Sequence, residues 1–213
     1  MSRLTDLPPS TVDIGGAEWP INTAFWAGIE FERTITDPDL TSEQKVAAAL
    51  TTYYGDNIPA DVERAVDALL WFFRCGAEPE KPAEENAPAT MPKRAYDFDQ
   101  DAEYIFAAFW QTYSIDLWSA DLHWWKFHAL FTGLPEECRI SQIMGYRTAD
   151  TRGMSKGEKK RYERLKKIYA LKKKTTVEHA ISLEERDRMW KARIDAAYAK
   201  MEGKKGLQTQ EGG

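Results

Sequence analysis

The chain has 213 residues, of which 43% are hydrophobic and 12% aromatic, and its formal net charge is -5. This is enough apolar material for one large domain or two small ones, and we expect a packed core and a soluble chain. No apolar run approaches the roughly 18–20 residues that span a bilayer. The first residues lack the apolar run of a signal peptide, and Cys75 and Cys138 are expected to be reduced thiols, so the sequence favours a cytoplasm.

The first 76 residues contain signals for an irregular segment followed by three helices. Residues 1–20 include three prolines and two adjacent glycines and are predicted to be an irregular lead-in. We expect an N-terminal helical unit over residues 21–76. Its helices are predicted from Thr23 to Thr36, from a capping box at Thr41 and Gln44 through Tyr54, and from a first turn at Pro59 to a stop at Gly76.

Residues 77–94 are rich in proline, acids and alanine and are predicted to be a linker. A C-terminal helical unit is expected over 95–171, and a charged helix with a flexible tail over 172–213. The predicted helices run from a capping box at Asp97 and Gln100 to Ser114, from a cap at Ser119 to Gly133, from Glu136 to Tyr146, from a capping box at Ser155 and Glu158 over Lys159 to Leu171, and from Leu183 to Met201.

Strand signals are weak throughout, and no repeat of 20–50 residues is evident. The predicted fold class is therefore all-α, with roughly seven helices in a compact, bundle-like arrangement and without a substantial sheet. Trp124 and Trp125 are adjacent in one helix, where neighbouring side chains point about 100° apart. These two tryptophans must pack into different surroundings, or one of them must contact a partner, and this predicts a helix held on two sides.

The sequence offers little support for catalysis. His123 and His128 lie five residues apart, which places them on different sides of a helix, and neither CxxC nor HExxH spacing occurs. Phosphate-binding glycine motifs and a nucleophile elbow are also missing from the sequence. We expect no metal, no cofactor and no enzymatic activity. His123 is interpreted as a hydrogen-bonding residue at a helix start, and Asp97, Asp99 and Asp101 as acids that favour a helix N-terminus.

Charge is distributed unevenly along the sequence. Acids outnumber Lys and Arg by more than two to one before residue 102, whereas between Arg152 and Lys174 eleven Lys or Arg residues stand against Glu158 and Glu163. The basic stretch 156–174 is predicted to form an amphipathic helix. Such a helix can be a solvated face, or it can contact phosphates or an acidic partner. A membrane surface is the weakest of these interpretations, because the apolar stripe is narrow.

Several short motifs stand in a fixed order along the chain. They are Phe31-Glu32, Leu70 to Gly76, Tyr96-Asp97-Phe98, Asp101, Ile115-Asp116-Leu117, Leu122 to Phe127, Gly133-Leu134-Pro135 and Ile143 to Arg147. Together they resemble a family of long-tailed, siphophage-type bacteriophage proteins whose genes lie in the tail cluster near the tape measure gene. The resemblance covers about Ile21 to Leu171.

The resemblance implies a tail assembly chaperone that keeps the tape measure protein soluble while the tail tube assembles. It defines no catalytic residue. The expected partners are the tape measure protein and other tail assembly proteins, with self-association as a further candidate. Neither nucleic acid nor a membrane is expected. The candidate partner-binding residues are Trp118, Trp124, Trp125, Lys159, Lys160, Arg164 and Lys167. Simple core packing is the alternative for the tryptophans. The alternative functions are a structural virion or tail component and a nucleic-acid-binding phage protein that uses the basic helix.

Overall fold

The computed structural model describes residues 5–78 and 94–172, which belong to one compact unit that ends at Lys172. Within these residues, two strands come first, β1 (Thr11–Ile14) and β2 (Ala17–Pro20), and seven helices follow: α1 (Phe25–Thr36), α2 (Ser42–Tyr54), α3 (Val62–Phe73), α4 (Ala102–Tyr113), α5 (Trp124–Thr132), α6 (Arg139–Thr148) and α7 (Lys156–Ile168). The predicted helical fold class is confirmed. The helix expected over Leu183 to Met201 and most of the predicted linker lie outside the described residues.

The predicted irregular lead-in is wrong for residues 11–20, because this segment forms an antiparallel hairpin. Thr11 pairs with Pro20 and Ile14 pairs with Ala17, so Gly15 and Gly16 form the two-residue turn. Both glycines have positive φ angles, of 66° and 86°. Positive φ at both central positions is what a two-residue hairpin turn of the primed type requires, and glycine adopts it without steric cost.

Two capping boxes predicted from the sequence are present in the structure. The side chain of Thr41 accepts from the Gln44 amide and that of Ser155 from the Glu158 amide, and both capping boxes are complete. The third helix begins at Val62 and not at Pro59, because Asp61 is its N-cap. The helices expected from Glu136 and Lys159 begin at Arg139 and Lys156.

Two further helix starts were predicted too early. The helix with the two tryptophans begins at Trp124, since the N-cap is His123 and not Ser119. The helix expected from Asp97 begins at Ala102. The Asp97 carboxylate instead accepts from the amides of Asp99 and Gln100 in the preceding turn, at 2.9 Å each. Asp97 therefore caps a turn that precedes α4, and not the helix itself.

One hydrophobic core contains buried residues from both predicted helical units. Phe127 of α5 lies at its centre, with its ring centroid 5.1 Å from Phe25 of α1 and 5.1 Å from Phe109 of α4. The backbone reinforces this contact, because the Phe25 amide donates to the Leu122 carbonyl at 2.8 Å and the Trp124 amide donates to the Thr23 carbonyl at 2.7 Å. The segments before α1 and α5 therefore hold each other at the point where both helices begin.

Gly28 allows α1 to approach Trp124 of α5 closely. A Cβ placed on Gly28 would lie 2.2 Å from the Trp124 ring, which is far inside van der Waals contact. We expect Gly28→Ala to destabilise the chain by about 1–3 kcal/mol through overpacking. Gly145→Ala in α6 is the matched control, because a Cβ there meets nothing within 4 Å. Alanine has a better helix propensity than glycine, so Gly145→Ala should stabilise the chain by up to about 1 kcal/mol. Urea unfolding of both variants checks the opposite signs, and two changes of the same sign would contradict the packing argument.

Candidate functional site

The two adjacent tryptophans of α5 lie in different surroundings, as their spacing predicts, since one is in the core and the other is half-buried. Trp124 is 2% exposed, and its ring stacks on Phe73 at 5.2 Å. Trp125 is half-buried and lies edge-on to Trp71, with ring centroids 5.6 Å apart. Their indole N–H groups donate to consecutive carbonyls, Trp124 to Phe73 and Trp125 to Phe72, at 2.8 Å each. Both indoles thus bind the C-terminal end of α3.

His123 caps the helix that carries these tryptophans. Its Nδ1 accepts a hydrogen bond from the Trp125 amide at 3.0 Å, and its Nε2 lies 3.1 Å from the Pro9 carbonyl oxygen. Acceptance at Nδ1 places the proton on Nε2, which then donates to Pro9. Burial lowers the pKa of His123, which favours the neutral ring that this arrangement needs. The prediction of a hydrogen-bonding histidine at a helix start is confirmed.

A buried ion pair joins α6 to the start of α4. The guanidinium of Arg147 donates to both carboxylate oxygens of Asp101, at 2.6 and 2.9 Å. Its remaining donors reach the carbonyls of Tyr169, at 2.6 Å, and Ala95, at 2.9 Å. Asp101 is the N-cap residue of α4, in keeping with the prediction of an acid at a helix N-terminus, but its side chain binds Arg147 and the Asp97 amide and makes no capping hydrogen bond. Arg147 thus connects α6 to the N-cap of α4, to the C-cap of α7 and to the backbone at Ala95.

A second charged cluster connects α1 to the residues that follow the predicted linker. Arg94 pairs with Glu32 at 3.3 Å and with Asp97 at 3.1 Å, and Arg33 pairs with Asp99. The Tyr96 hydroxyl donates to Glu32 at 3.2 Å. Burial raises the pKa of Glu32 above its usual 4.5, and this effect outweighs the opposing influence of Arg94 and Tyr96.

The raised pKa of Glu32 predicts a pH dependence of stability. Between pH 4.5 and the raised pKa, the folded chain binds more protons at this site than the unfolded chain, so the free energy of unfolding falls as the pH rises. Glu32→Gln removes this titration. We therefore expect the free energy of unfolding of the variant, relative to the original chain, to increase through this window. Urea unfolding at several pH values measures it, and a flat or decreasing difference would contradict the assignment.

Two exposed tryptophans form a cluster with Phe106 beside α4. Trp118 is 86% exposed and Trp110 is 54% exposed. Both stack on the Phe106 ring, with centroid distances of 4.1 Å for Trp118 and 6.3 Å for Trp110. We name Phe106, Trp110 and Trp118 the aromatic surface. Exposed apolar patches often mark interaction sites, and tryptophan is enriched among the residues that contribute most to protein–protein binding.

The basic residues predicted to bind a partner lie on the outer side of α7. Lys159, Lys160, Arg164 and Lys167 are all exposed. The inner side of α7 packs on α6, where Tyr146 contacts Tyr162 and Tyr169 at centroid distances of 6.1 and 6.0 Å. We name Lys160, Arg164, Lys167 and Ile168 the basic stripe, since their spacing places them on one face of the helix. Ile168 is 58% exposed at its end.

The structure places some of the predicted partner-binding residues in the interior and others at the surface. Trp124 is inside the core and Trp125 is packed against α3, whereas Trp118 and the four cations are exposed. Sequence reasoning missed Phe106 and Trp110. The signal was present, because residues 106 and 110 are four apart and share a face of α4 that lies about 100° around the helix from the buried Ile105 and Phe109.

The described residues contain no group of three or more His, Cys, Asp or Glu side chains placed to hold a metal ion. In the same part of the chain, no helix has the length and apolarity needed to cross a membrane.

An open groove of about 580 Å³ lies between α1 and α2, beside Trp26 and Tyr54. Burial raises the pKa of Tyr54 to about 12, and its hydroxyl donates to the Ala65 carbonyl, so this phenol serves the fold.

A comparison with protein families gives the decisive finding. The family model described as Bacteriophage Gp15 protein matches residues 4–171. The chain belongs to this bacteriophage protein family. Searches of curated proteins and of solved structures each returned no match.

The matched range of this Gp15-family chain includes all of the described elements. The motifs that carry the resemblance supply much of its interior: Glu32, Asp97, Asp101 and Arg147 form the ion pairs, and Trp124 lies in the core. The aromatic surface and the basic stripe lie outside these motifs, and Trp118, Lys160, Arg164 and Lys167 are exposed.

Proposed function

We propose that this Gp15-family chain is a tail assembly chaperone that binds the phage tape measure protein and keeps it soluble until the tail tube assembles. Membership of the Gp15 family supports a role in a bacteriophage. The short motifs that resemble proteins of the tail gene cluster favour a tail assembly chaperone. The observation that carries the proposal is the aromatic surface. Two tryptophans exposed at 86% and 54% offer apolar contact area that the fold itself does not use.

A long amphipathic helix is a suitable client for such a surface. Its apolar face would lie against Trp110 and Trp118, and the cations of α7 would attract acidic residues of the client or of other tail proteins. Weak contacts repeated along a long client by many copies can combine into firm binding and still allow release. This function needs only binding, with no bond made or broken, and no cofactor.

Co-expression with the product of the neighbouring tape measure gene tests the proposal. We expect the client to stay in the soluble fraction with the original chain and to precipitate with the double variant Trp110→Ala/Trp118→Ala. Trp26→Ala is the matched control, because Trp26 is 55% exposed but belongs to α1, away from the aromatic surface. It should preserve solubility.

Two results would reject the proposal. One is a client that precipitates equally with and without the original chain. The other is recovery of this chain in stoichiometric amounts from purified virions, which would support the structural alternative. Binding to DNA that weakens steeply with salt and is lost on charge reversal of Lys159, Lys160 and Arg164 would instead support the nucleic-acid alternative.

A further inference from the structure

The aromatic surface lies in the part of the chain that carries no positive charge. From residue 95 to residue 125 there is no Lys or Arg, whereas there are six carboxylates. Glu103 precedes Phe106 by three residues and Trp110 by seven, so it lies on the same face of α4. Asp116 accepts a hydrogen bond from the Trp118 amide at 3.0 Å, and Asp121 is exposed three residues later. Asp97, Asp99 and Asp101 pair with arginines, which leaves Glu103, Asp116 and Asp121 as the acids next to the aromatic residues in the chain.

The basic stripe has the complementary composition. Residues 160, 164, 167 and 168 follow one face of α7 over about 12 Å, with three cations followed by one exposed isoleucine. Among the described residues, none of the three cations has an ion-pair partner. Lys and Arg side chains bind favourably to the faces of tryptophan rings, and carboxylates near those rings attract the same cations by complementary charge.

The two surfaces of one molecule belong mainly to helices that each pack against α6, since α6 contacts both α4 and α7. The stripe occupies the side of α7 opposite Tyr162 and Tyr169, which face Tyr146 of α6. A stripe on that side of α7 points away from α6, so we expect it to be open to a second molecule.

We propose that the basic stripe of one copy of this chain docks on the aromatic surface of a second copy. The contact is head-to-tail, because each molecule uses a different surface on each side, and such a contact repeats along an open row unless the rotation closes a ring. Cation–π contacts to Trp110 and Trp118 and charge pairs with Glu103 and Asp121 hold it together. If the chaperone function is correct, this contact covers the client surface, so client binding and self-association compete.

Sedimentation of the full chain without any client tests the proposal. At low salt we expect species heavier than the monomer, and at high salt their loss, because screening weakens exposed charge contacts. The surface-reversed variant Glu103→Lys/Asp121→Lys and the stripe-reversed variant Lys160→Glu/Arg164→Glu/Lys167→Glu should each be monomeric alone. An equimolar mixture of the two should recover the heavier species, since each restores the charge that the other needs.

Glu63→Lys/Asp67→Lys on the exposed side of α3 is the control for net charge, and it should associate like the original chain. A chain that is monomeric at low salt, or a mixture of the two reversed variants that stays monomeric, would overturn the proposal. Neither result depends on the tape measure protein, so failure here leaves the chaperone proposal standing. Conversely, a client that precipitates despite normal self-association would reject the chaperone function alone.

Discussion

Trp124→Ala is expected to lower the free energy of unfolding by about 3–5 kcal/mol, which is the usual cost of removing a large buried aromatic side chain. The indole lies under Gly28, stacks on Phe73 and donates to the Phe73 carbonyl. Its removal leaves a cavity between α1, α3 and α5. Since small domains are stable by only about 5–15 kcal/mol, this one change should bring the chain close to unfolding at 37 °C.

Trp118→Ala is the matched control for that variant, because the same atoms are removed from an 86% exposed position. We expect a change below about 1 kcal/mol, set by the loss of stacking on Phe106. Chemical unfolding followed by circular dichroism measures both variants. Equal losses at the two positions would show that Trp124 does not hold the core together as described.

Arg147→Met should cost about 3–5 kcal/mol, because it leaves the Asp101 carboxylate buried without its charge partner. It also removes the donors to the Tyr169 and Ala95 carbonyls. These bonds connect α6 to the end of α7 and to the start of the second half of the chain. We therefore expect both regions to lose hydrogen-exchange protection together in this variant.

Arg152→Met provides the comparison at the surface. Arg152 also binds a single carboxylate, that of Asp150, and its guanidinium lowers the pKa of Asp150 to about 2. Both groups are exposed, so solvent screens the pair and we expect no measurable change in stability. An Arg152 variant as destabilised as the Arg147 variant would contradict the view that burial makes the difference.

The sequence predicted those features that depend on neighbouring residues. The capping boxes at Thr41 and Ser155 are local hydrogen-bond patterns, so the starts of α2 and α7 could be predicted to within a few residues. The hairpin at residues 11–20 was missed although its Gly15–Gly16 turn was visible, because four-residue strands give too short an alternating pattern.

Non-local contacts decided the remaining differences. The helix α5 begins at Trp124, and not near Ser119, because the preceding residues pair with the segment before α1: Ala24 forms an antiparallel bridge with His123. Asp101 could not be assigned to Arg147 from the sequence, since the two lie 46 positions apart. The exposure of individual side chains could not be predicted from the sequence either. A tryptophan in the core and one at the surface have the same letter in the sequence, so Trp124 and Trp118 could be separated only by the fold.

The most direct test of the central claim is the soluble yield of the tape measure protein co-expressed with this chain. The account predicts that the original chain and Trp26→Ala keep the client soluble, and that Trp110→Ala/Trp118→Ala, although folded, lets it precipitate. A client that stays equally soluble with the Trp110/Trp118 variant would contradict binding at the aromatic surface. A client that precipitates with every variant, including the original chain, would contradict the chaperone function itself.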